Sequence, residues 1–486
     1  MTYETIIGLE VHVQLLTQSK MFCSCSAEYA NTPPNTCVCP ICLGMPGVLP
    51  TINKKAIEYA VMTALALDCT IPVNTKFDRK NYPYPDLMKG YQISQYDAPI
   101  GIGGSVSLAI DGTERHIRVR RVHLEEDVAK LIHRTDAAGQ TSSLIDVNRA
   151  GVPLMEIVTE PDIRTPEEAR QFLMKLRTIL RYLGVSTGNM EEGSFRCDAN
   201  ISLRAEGCSE TSPKVEVKNM NSFRAVYRAL EFEANRQREV ANKGGHLPQE
   251  TRGWVDEKGI TQSQRSKEYA HDYRYFPEPD LPPLRLEEAR VKEIKASLPE
   301  LPEARRNRFV SQYGLPMYDA LLLTGSKGLA DYFETCLTLS RGDPHDKAKS
   351  TSNWLLGEFT RWLNASGIEI EDAPVTPQAL VQLLEMTEGG LLTAAAAKKV
   401  FEEMFRSARQ PEEIAAREGL MQISDSAAIE DAVKQAIASN AQAVVDFKAG
   451  KEQALSFLVG QVMKSTRGRA NPQTVRELLR KELQGS

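Results

Sequence analysis

The sequence predicts an α+β protein: an antiparallel sheet forms an N-terminal cradle domain, and helices form the remainder. Segments of strict polar–apolar alternation, the period of a half-buried strand, recur through the first 220 residues. After Pro283 these segments disappear, and apolar residues recur at helical spacing. A chain of 486 residues is longer than a typical single domain. We therefore predict a cradle domain (1–290), an all-α helical domain (291–408) and a small helical tail domain (409–486).

Composition and charge restrict the class of protein. A net charge of −5 gives no global field that attracts nucleic acid, so any RNA contact must be local. The first residues lack the basic and apolar regions of a signal peptide, and no apolar stretch reaches membrane length. We therefore expect a cytoplasmic protein without membrane contact, in which clustered cysteines favour metal binding over disulfides.

The most informative acid lies in the strand–turn–strand predicted over Ile145–Asp162. Leu154–Thr159 is apolar on both faces except at Glu156. A carboxylate in such a strand needs a cation, a metal or a proton. A structural ion pair, for example with Arg149, is the alternative to a functional role.

Two other segments carry polar groups that could join this acid. Near the N-terminus, Glu10 and His12 share the polar face of an alternating strand, where they can converge on a metal or a phosphate. A solvated strand face is the alternative. A later basic strand leads into Glu125, Glu126 and Asp127, which form either a solvated corner or a site for a divalent cation.

Further alternating strands extend the predicted charged surface. Met190–Leu203 carries Asp198 on its polar face, and Lys214–Met220 carries Lys218. An antiparallel sheet with helices on one face presents such groups together on its open face. The helices predicted in this part of the chain are Lys54–Leu67, Thr165–Gly184 with a capping box at its start, and about 223–243.

Four cysteines have the spacing of a tetrahedral zinc site. Cys23 and Cys25 lie in one short turn and Cys39 and Cys42 in another, an arrangement that suits four thiolate ligands. Cys37 is a fifth candidate with a less suitable spacing. The closed ligand set predicts a structural zinc, and buried free thiols are the alternative.

A basic and aromatic loop follows over 77–95. Arg79 and Lys80 lie among tyrosines, and cations beside aromatic rings can hold a nucleotide or an RNA end. A packed surface loop is the alternative. The glycine-rich stretch 101–104 is predicted to be a hairpin turn. Because GxxxxGK[ST] does not occur in the sequence, a nucleotide would not be bound by a P-loop.

The predicted tail contains a basic loop in an otherwise acidic protein. Residues 463–472 include Lys464, Arg467 and Arg469, the best candidates for contact with a phosphate backbone. Ordinary charges at helix ends are the alternative.

Several long motifs, spread nearly end to end, carry a resemblance to one family. They are Gly8–His12, Lys20–Cys25, Cys39–Gly44, Phe77–Tyr82, Asp146–Arg149 with Pro153–Glu156, Asp272–Pro279, Phe457–Gln461 and Arg467–Pro472. Together they resemble the B subunit of the aspartyl/glutamyl-tRNA amidotransferases, the GatB family.

The resemblance implies a function. A protein of this family uses ATP and Mg²⁺ to phosphorylate the side-chain carboxylate of Glu-tRNA(Gln) or Asp-tRNA(Asn), and ammonia from the A-type glutaminase partner then displaces phosphate. A C-type partner completes the heterotrimer. The sequence leaves open which of the two charged tRNAs is the substrate. The resemblance also implies a catalytic domain similar in fold to that of glutamine synthetase, and a tail that binds tRNA. No serine–lysine amidase stretch occurs in this sequence, so glutamine hydrolysis is assigned to the partner.

Under this resemblance the acids and cations acquire roles, because phosphoryl transfer to a carboxylate brings two anions together. The predicted metal ligands are Glu10, His12, Glu125 and Glu156, with Glu126 and Asp198 as supporting or second-metal groups. The groups predicted to neutralise phosphate are Arg79, Lys80 and Lys218. A noncatalytic tRNA-binding scaffold and a metal-dependent phosphohydrolase are the alternatives.

Overall fold

A computed structural model describes residues 2–110, 112–136, 138–266, 273–422, 426–448, 450–466 and 469–485. The chain forms two compact units, Met1–Leu301 and Pro302–Ser486. Among the described residues, the strands lie in the first unit and the second is helical. The predicted mixture of a large sheet with helices is confirmed, and the three domain boundaries stay a prediction.

The first unit combines strands with four helices over its described residues. The strands are β1 (Tyr3–Gln14), β2 (Asn74–Thr75), β3 (Asp78–Asn81), β4 (Tyr91–Ser94), β5 (Gly101–Ile110), β6 (Thr113–Glu126), β7 (Lys130–Thr135), β8 (Thr141–Asp146), β9 (Pro153–Thr159), β10 (Phe195–Ala205), β11 (Val215–Lys218), β12 (Glu250–Val255), β13 (Ile260–Ser266), β14 (Phe276–Pro277) and β15 (Leu284–Arg285). The helices are α1 (Lys54–Ala66), α2 (Pro166–Tyr182), α3 (Phe223–Asn242) and α4 (Glu288–Ala296).

Eight strands form the main sheet in the order β13-β12-β11-β10-β1-β9-β6-β5. Neighbouring strands are antiparallel except β11 and β12, which run parallel. Helix α3 lies between these two strands in the chain, as a parallel pair requires a long crossover. The predicted antiparallel sheet is therefore correct apart from this one pair.

The alternation along β1 decides which face of the sheet is buried. Leu9, Val11 and Val13 are at most 1% exposed and belong to a hydrophobic core that includes residues of α1, α2 and α3. Glu10 and His12 point to the opposite face. The predicted division of this strand into an apolar and a polar face is confirmed.

Helix α2 begins where its capping signals predict. Thr165 Oγ1 accepts a hydrogen bond from the Glu168 backbone N–H at 3.1 Å, and Pro166 occupies the first turn. The Glu168 carboxylate accepts in return from the backbone N–H of Arg164 at 2.6 Å, one residue before the cap. Such reciprocal bonds satisfy donors that the first helical turn leaves unpaired.

The prediction of a hairpin turn at 101–104 is wrong, because these residues belong to strand β5. A Cβ at Gly101 would lie 2.6 Å from Ala64 Cβ, and one at Gly104 would lie 2.3 Å from the Leu67 carbonyl oxygen. The glycines therefore allow β5 to pass close to the end of α1.

The stretch Asp272–Pro283 contacts strand β3, near the start of the chain. The sequence predicts that this stretch is extended and closes the first domain. Asp272 lies outside the described residues. Phe276 and Pro277 form β14, which pairs antiparallel with β3. Glu278, 2% exposed, accepts hydrogen bonds from Arg79 at 2.7 and 2.8 Å. This bidentate pair joins segments about 200 residues apart in sequence.

The regular elements among the second unit's described residues are all helices. Its elements are α5 (Pro302–Tyr313), α6 (Met317–Leu323), α7 (Lys327–Leu339), α8 (Pro344–Trp354), a π-helix (Leu355–Phe359), α9 (Thr360–Ser366), a 3₁₀-helix (Ile370–Asp372), α10 (Pro377–Glu388), α11 (Ala394–Ser407), α12 (Pro411–Arg417), α13 (Ser426–Ser439), α14 (Ala441–Lys448), α15 (Glu452–Ser465) and α16 (Pro472–Gly485). One hydrophobic cluster spans 309–415 and another spans 429–483. In the described part of the chain, every helix is too short or too polar to cross a membrane.

Candidate active site and zinc site

Three neighbouring strands bring four side chains to one point on the polar face of the sheet. His12 of β1 lies opposite Glu156 of β9, and Glu156 lies opposite His123 of β6. Glu125 follows His123 by two residues and so shares its face. We call His12, His123, Glu125 and Glu156 the acid–histidine cluster.

The ring nitrogens and carboxylates of this cluster converge. His12 Nε2 lies 3.4 Å from Glu156 Oε2 and 3.8 Å from Glu125 Oε1. His123 Nε2 lies 3.4 Å from the same Glu156 oxygen and 4.0 Å from Glu125 Oε2. Donor atoms of His12, Glu125 and Glu156 all lie within 4.8 Å of one another. One imidazole and two carboxylates at this spacing fit a divalent cation.

Burial and charge oppose each other in this cluster. Burial disfavours the charged form of His12, but the Glu156 and Glu125 carboxylates raise its pKa to about 9. Burial likewise disfavours the charged form of Glu156, but His123 and His12 hold the pKa of that carboxyl well below its usual range. Glu156 is therefore an anion whose charge the histidines, or a cation in their place, must balance.

His123 is the member of the cluster that sequence reasoning missed. It is 2% exposed, and its Nδ1 has no hydrogen-bond partner among the described residues. The available signal was the two-residue spacing to Glu125, which places both side chains on one strand face. The pairing with Glu156 depends on strand register, which the sequence does not show.

Arg149 does not pair with Glu156, whose ion-pair partners are instead His12 and His123. Arg149 Nε lies 3.6 Å from Asp127 Oδ1, and Asp127 also accepts hydrogen bonds from Arg196 at 3.0 Å and Gln14 at 2.7 Å. Burial raises the pKa of Asp127, whereas the two arginines lower it, and the net shift is downward. The carboxylate that pairs with Arg149 is therefore that of Asp127.

The run of three acids is buried, so the solvated-corner alternative is also wrong. Glu125, Glu126 and Asp127 are 3–5% exposed. Glu126 pairs with Lys89 and accepts a hydrogen bond from the Ile93 backbone N–H at 3.0 Å. Its charge is therefore balanced outside the acid–histidine cluster.

A second charged group lies on the same side of the sheet at the next strands. Glu10 lies opposite Asp198 in the β1–β10 register and accepts a hydrogen bond from Asn200 at 2.9 Å. Lys218 Nζ lies 2.5 Å from Asp198 Oδ2 and 3.2 Å from Glu216 Oε1. Burial lowers the pKa of Lys218, but these two carboxylates produce a net upward shift. Glu216, in β11, is another charged residue of this face for which no role was predicted from the sequence.

The two cations of strand β3 have different surroundings. Arg79 is held by Glu278 and lies 3.1 Å from Asp280, with its guanidinium carbon 4.2 Å from the centre of the Tyr91 ring. Lys80 Nζ instead lies 4.9 Å from the centre of the Tyr273 ring. Burial lowers the pKa of Lys80, but Glu125 and Glu156 of the acid–histidine cluster, together with nearby tyrosines, produce a net upward shift. Lys80 is thus the cation of this strand that is electrostatically coupled to the cluster.

The four predicted zinc ligands lie together. Cys42 Sγ lies 3.5 Å from Cys23 Sγ and 3.7 Å from Cys39 Sγ, and all four sulfurs, including that of Cys25, lie within 4.8 Å of one another. Four thiolates at about 2.3 Å from a tetrahedral zinc lie about 3.8 Å apart. Cys37 Sγ points to Thr32 Oγ1 at 3.5 Å and lies outside this group. The four-cysteine site therefore fits zinc.

The basic residues of the predicted tail are only partly described. Lys464 is exposed in the last turn of α15, and Arg469 Nε donates to the Thr466 carbonyl oxygen at 3.3 Å. Arg467 lies outside the described residues. The role of these three residues in binding tRNA stays a prediction.

Two family models match the chain and define its class. Residues 5–292 match the GatB/GatE catalytic domain, and residues 331–483 match a GatB domain. The first match covers the main sheet, the acid–histidine cluster and the four-cysteine site. The chain thus has a GatB/GatE catalytic domain, followed by a helical GatB domain.

Curated relatives specify the family. A protein of Dehalococcoides mccartyi is 58% identical over 487 residues, 99% of each chain, and is named as the B subunit of an aspartyl/glutamyl-tRNA(Asn/Gln) amidotransferase. Proteins with the same name from Thermomicrobium roseum and Carboxydothermus hydrogenoformans are 53% identical over 99–100% of this chain and 99% of theirs. This chain belongs to the GatB family of amidotransferase subunits. The resemblance drawn from the sequence motifs, and the assignment to amidotransferase ligases that it implies, are confirmed.

Proposed function

We propose that this chain activates the side-chain carboxylate of Glu-tRNA(Gln), Asp-tRNA(Asn) or both, within a heterotrimer that also contains the A-type glutaminase and the C-type partner. The carboxylate oxygen attacks the γ-phosphorus of ATP, and ADP leaves. Ammonia then attacks the carbonyl carbon of the acyl phosphate, and phosphate leaves as the amide forms. The observation that carries the proposal is the convergence of His12, Glu125 and Glu156 on one point in a chain of the GatB family.

The electrostatics of the site suit this reaction. A carboxylate must approach a polyphosphate, so the site has to supply positive charge and hold both anions in line. His12, Glu125 and Glu156 would hold Mg²⁺, which supplies positive charge to phosphate oxygens when bound. Lys80 and Lys218 flank the acids of the sheet and would neutralise further phosphate charge.

The remaining predicted site residues take supporting roles in the proposal. Glu10, predicted to share the metal of His12, Glu125 and Glu156, lies outside their group and instead faces Asp198 across β1 and β10, where the two would serve a second metal. Glu126 holds Lys89 beside the cluster, and Arg79 fixes the closing segment through Glu278. A largely antiparallel sheet with carboxylates on one face supports the proposed likeness to the catalytic fold of glutamine synthetase, which activates a carboxylate in the same way.

We also propose a structural Zn²⁺ held by Cys23, Cys25, Cys39 and Cys42. The ligand set has no open position for a substrate, so the metal would fix the loops that carry the cysteines rather than take part in the reaction. Loop residues around this site pack on Val147 and Ala150, which precede β9. The metal would therefore stabilise the segment that leads into Glu156.

Amidation by the reconstituted heterotrimer tests the proposed function. With ATP, glutamine and each charged tRNA, we expect amide formation on at least one of Glu-tRNA(Gln) and Asp-tRNA(Asn), with ADP release that depends on that tRNA. Binding of tRNA without ADP release would identify a scaffold. Phosphate release from simple esters without tRNA would identify a phosphohydrolase.

The tail is proposed to bind the tRNA backbone through Lys464, Arg467 and Arg469. Replacing Lys464 and Arg469 with alanine should weaken tRNA binding and flatten its dependence on salt, by roughly one unit of log–log slope for each phosphate interaction that is removed. Binding is measured between about 50 and 200 mM salt. Lys347 is the matched control, because it pairs with Glu388 elsewhere in the helical unit. Unchanged affinity and slope in the double variant would assign these residues a structural role only.

A further inference from the structure

Lys20 is a completely buried lysine beside the four-cysteine site. Its side chain is 0% exposed, and its Nζ donates to the Cys37 carbonyl oxygen at 2.8 Å and lies 3.5 Å from Cys42 Sγ. The backbone of Lys20 is held on both sides, since its N–H donates to the Cys25 carbonyl and its carbonyl accepts from Asn53. The fold therefore places the ammonium against the Cys42 sulfur.

The space for this side chain is also provided by the fold. Lys20 Cδ lies 3.4 Å from the position that a Cβ on Gly151 would occupy. Gly151 has a φ of +84°, a conformation that favours glycine. The same glycine accepts a hydrogen bond from the Met21 backbone N–H at 2.7 Å. The turn before β9 and the buried lysine thus pack against each other.

The charge of Lys20 needs a balancing anion. A buried ammonium is costly unless a negative group pairs with it. Among the residues that the structure describes, no carboxylate lies within ion-pair distance of Lys20, and its polar contacts are the Cys37 carbonyl and the Cys42 sulfur. The thiolate of Cys42 is the available anion.

We propose that Lys20 is a positioning residue of the zinc site, which donates a hydrogen bond to the Cys42 thiolate and offsets part of the charge of the four-thiolate site. Zn²⁺ with four thiolates carries two net negative charges, and the Lys20 ammonium reduces them to one. Hydrogen bonds to metal ligands orient the ligands and raise metal affinity. The inference rests on the proposed zinc site and adds a residue that zinc spacing rules do not include.

Zinc affinity of the full-length chain tests this role. By competition with a chelator, Lys20→Met should bind zinc roughly 10- to 100-fold more weakly than the unaltered chain. Lys20→Gln keeps a donor without the charge and should fall between the two. Lys54→Met, at an exposed lysine, is the matched control and should retain full affinity. Equal zinc affinity in all four chains would overturn the proposal, whereas absence of zinc from the unaltered chain would overturn the zinc site itself.

A labelling experiment on the unaltered chain keeps the inference testable if the Lys20 variants do not fold. An amine-reactive ester should modify exposed Lys54 readily and leave Lys20 unmodified in the zinc-loaded chain. After zinc is removed by a chelator, the loops that enclose Lys20 should loosen and Lys20 should become reactive, as read by peptide mass spectrometry. Continued protection of Lys20 in the zinc-free chain would show that its burial does not depend on the zinc site and would overturn the proposal.

Discussion

Replacing Glu156 with glutamine is expected to slow amide formation strongly while leaving glutamine hydrolysis at its basal rate. The amide keeps the shape of the side chain but removes the anion that His12 and His123 face at 3.4 Å. The metal should bind more weakly, and the transition state of phosphoryl transfer should lose several kcal/mol of stabilisation, a decrease of about 100- to 1,000-fold in rate. Both activities are measured on one preparation of the complex.

Ammonium chloride in place of glutamine isolates the step that this chain is proposed to perform. Glu160→Gln is the matched control, because Glu160 lies just beyond the same strand and pairs with Arg120 near the surface. That variant should amidate at the normal rate. Normal amidation by Glu156→Gln from ATP and ammonia would show that Glu156 is a buried structural acid, and the metal site would have to lie elsewhere.

Removal of one zinc ligand is expected to eliminate the metal from the chain. Cys39→Ser should lower the zinc content from one per chain to almost none, because three thiolates cannot complete the tetrahedral site. Binding of structural zinc contributes about 10–16 kcal/mol in small zinc domains, so the loops carrying the cysteines should lose their fixed structure. Elemental analysis and proteolysis of the 23–42 region measure the two effects.

Cys208 provides the control for this experiment. It is exposed and lies outside the four-cysteine group, so Cys208→Ser should keep zinc and resist proteolysis as the unaltered chain does. The main sheet should remain folded in Cys39→Ser, since its core of β1, β9 and β10 does not include the four cysteines. A freshly purified chain without zinc would refute the zinc site.

Features that depend on local pattern could be predicted from the sequence. The faces of β1 follow from alternation, the start of α2 follows from Thr165 and Pro166, and Glu156 is conspicuous because its neighbours in the strand are apolar. The grouping of four cysteines follows from their spacing. In each case one short stretch of the sequence contains the whole signal.

Features that depend on distant partners could not be predicted. His123 joins the site only because β6 pairs with β9 in one register, and a shift by one residue would turn it to the other face. Arg79 is bound by Glu278, which is distant in sequence. The glycines of β5 are needed because the end of α1 leaves no room for a side chain there. No local pattern in the sequence reveals either contact. Strand register and packing between distant segments therefore explain why His123 was missed and why a hairpin turn was wrongly predicted at 101–104.

The central position of β1 has a consequence for synthesis on the ribosome. Tyr3 pairs with Ala205, so the first strand made lacks its β10 partner until about 200 further residues have been synthesised. At ~5–20 residues per second, that delay is roughly 10–40 s. During it, an apolar strand face stays uncovered, and pairing between such distant segments is intrinsically slow. Nascent chains of this protein should accordingly depend on chaperones that shield apolar segments until β10 has emerged.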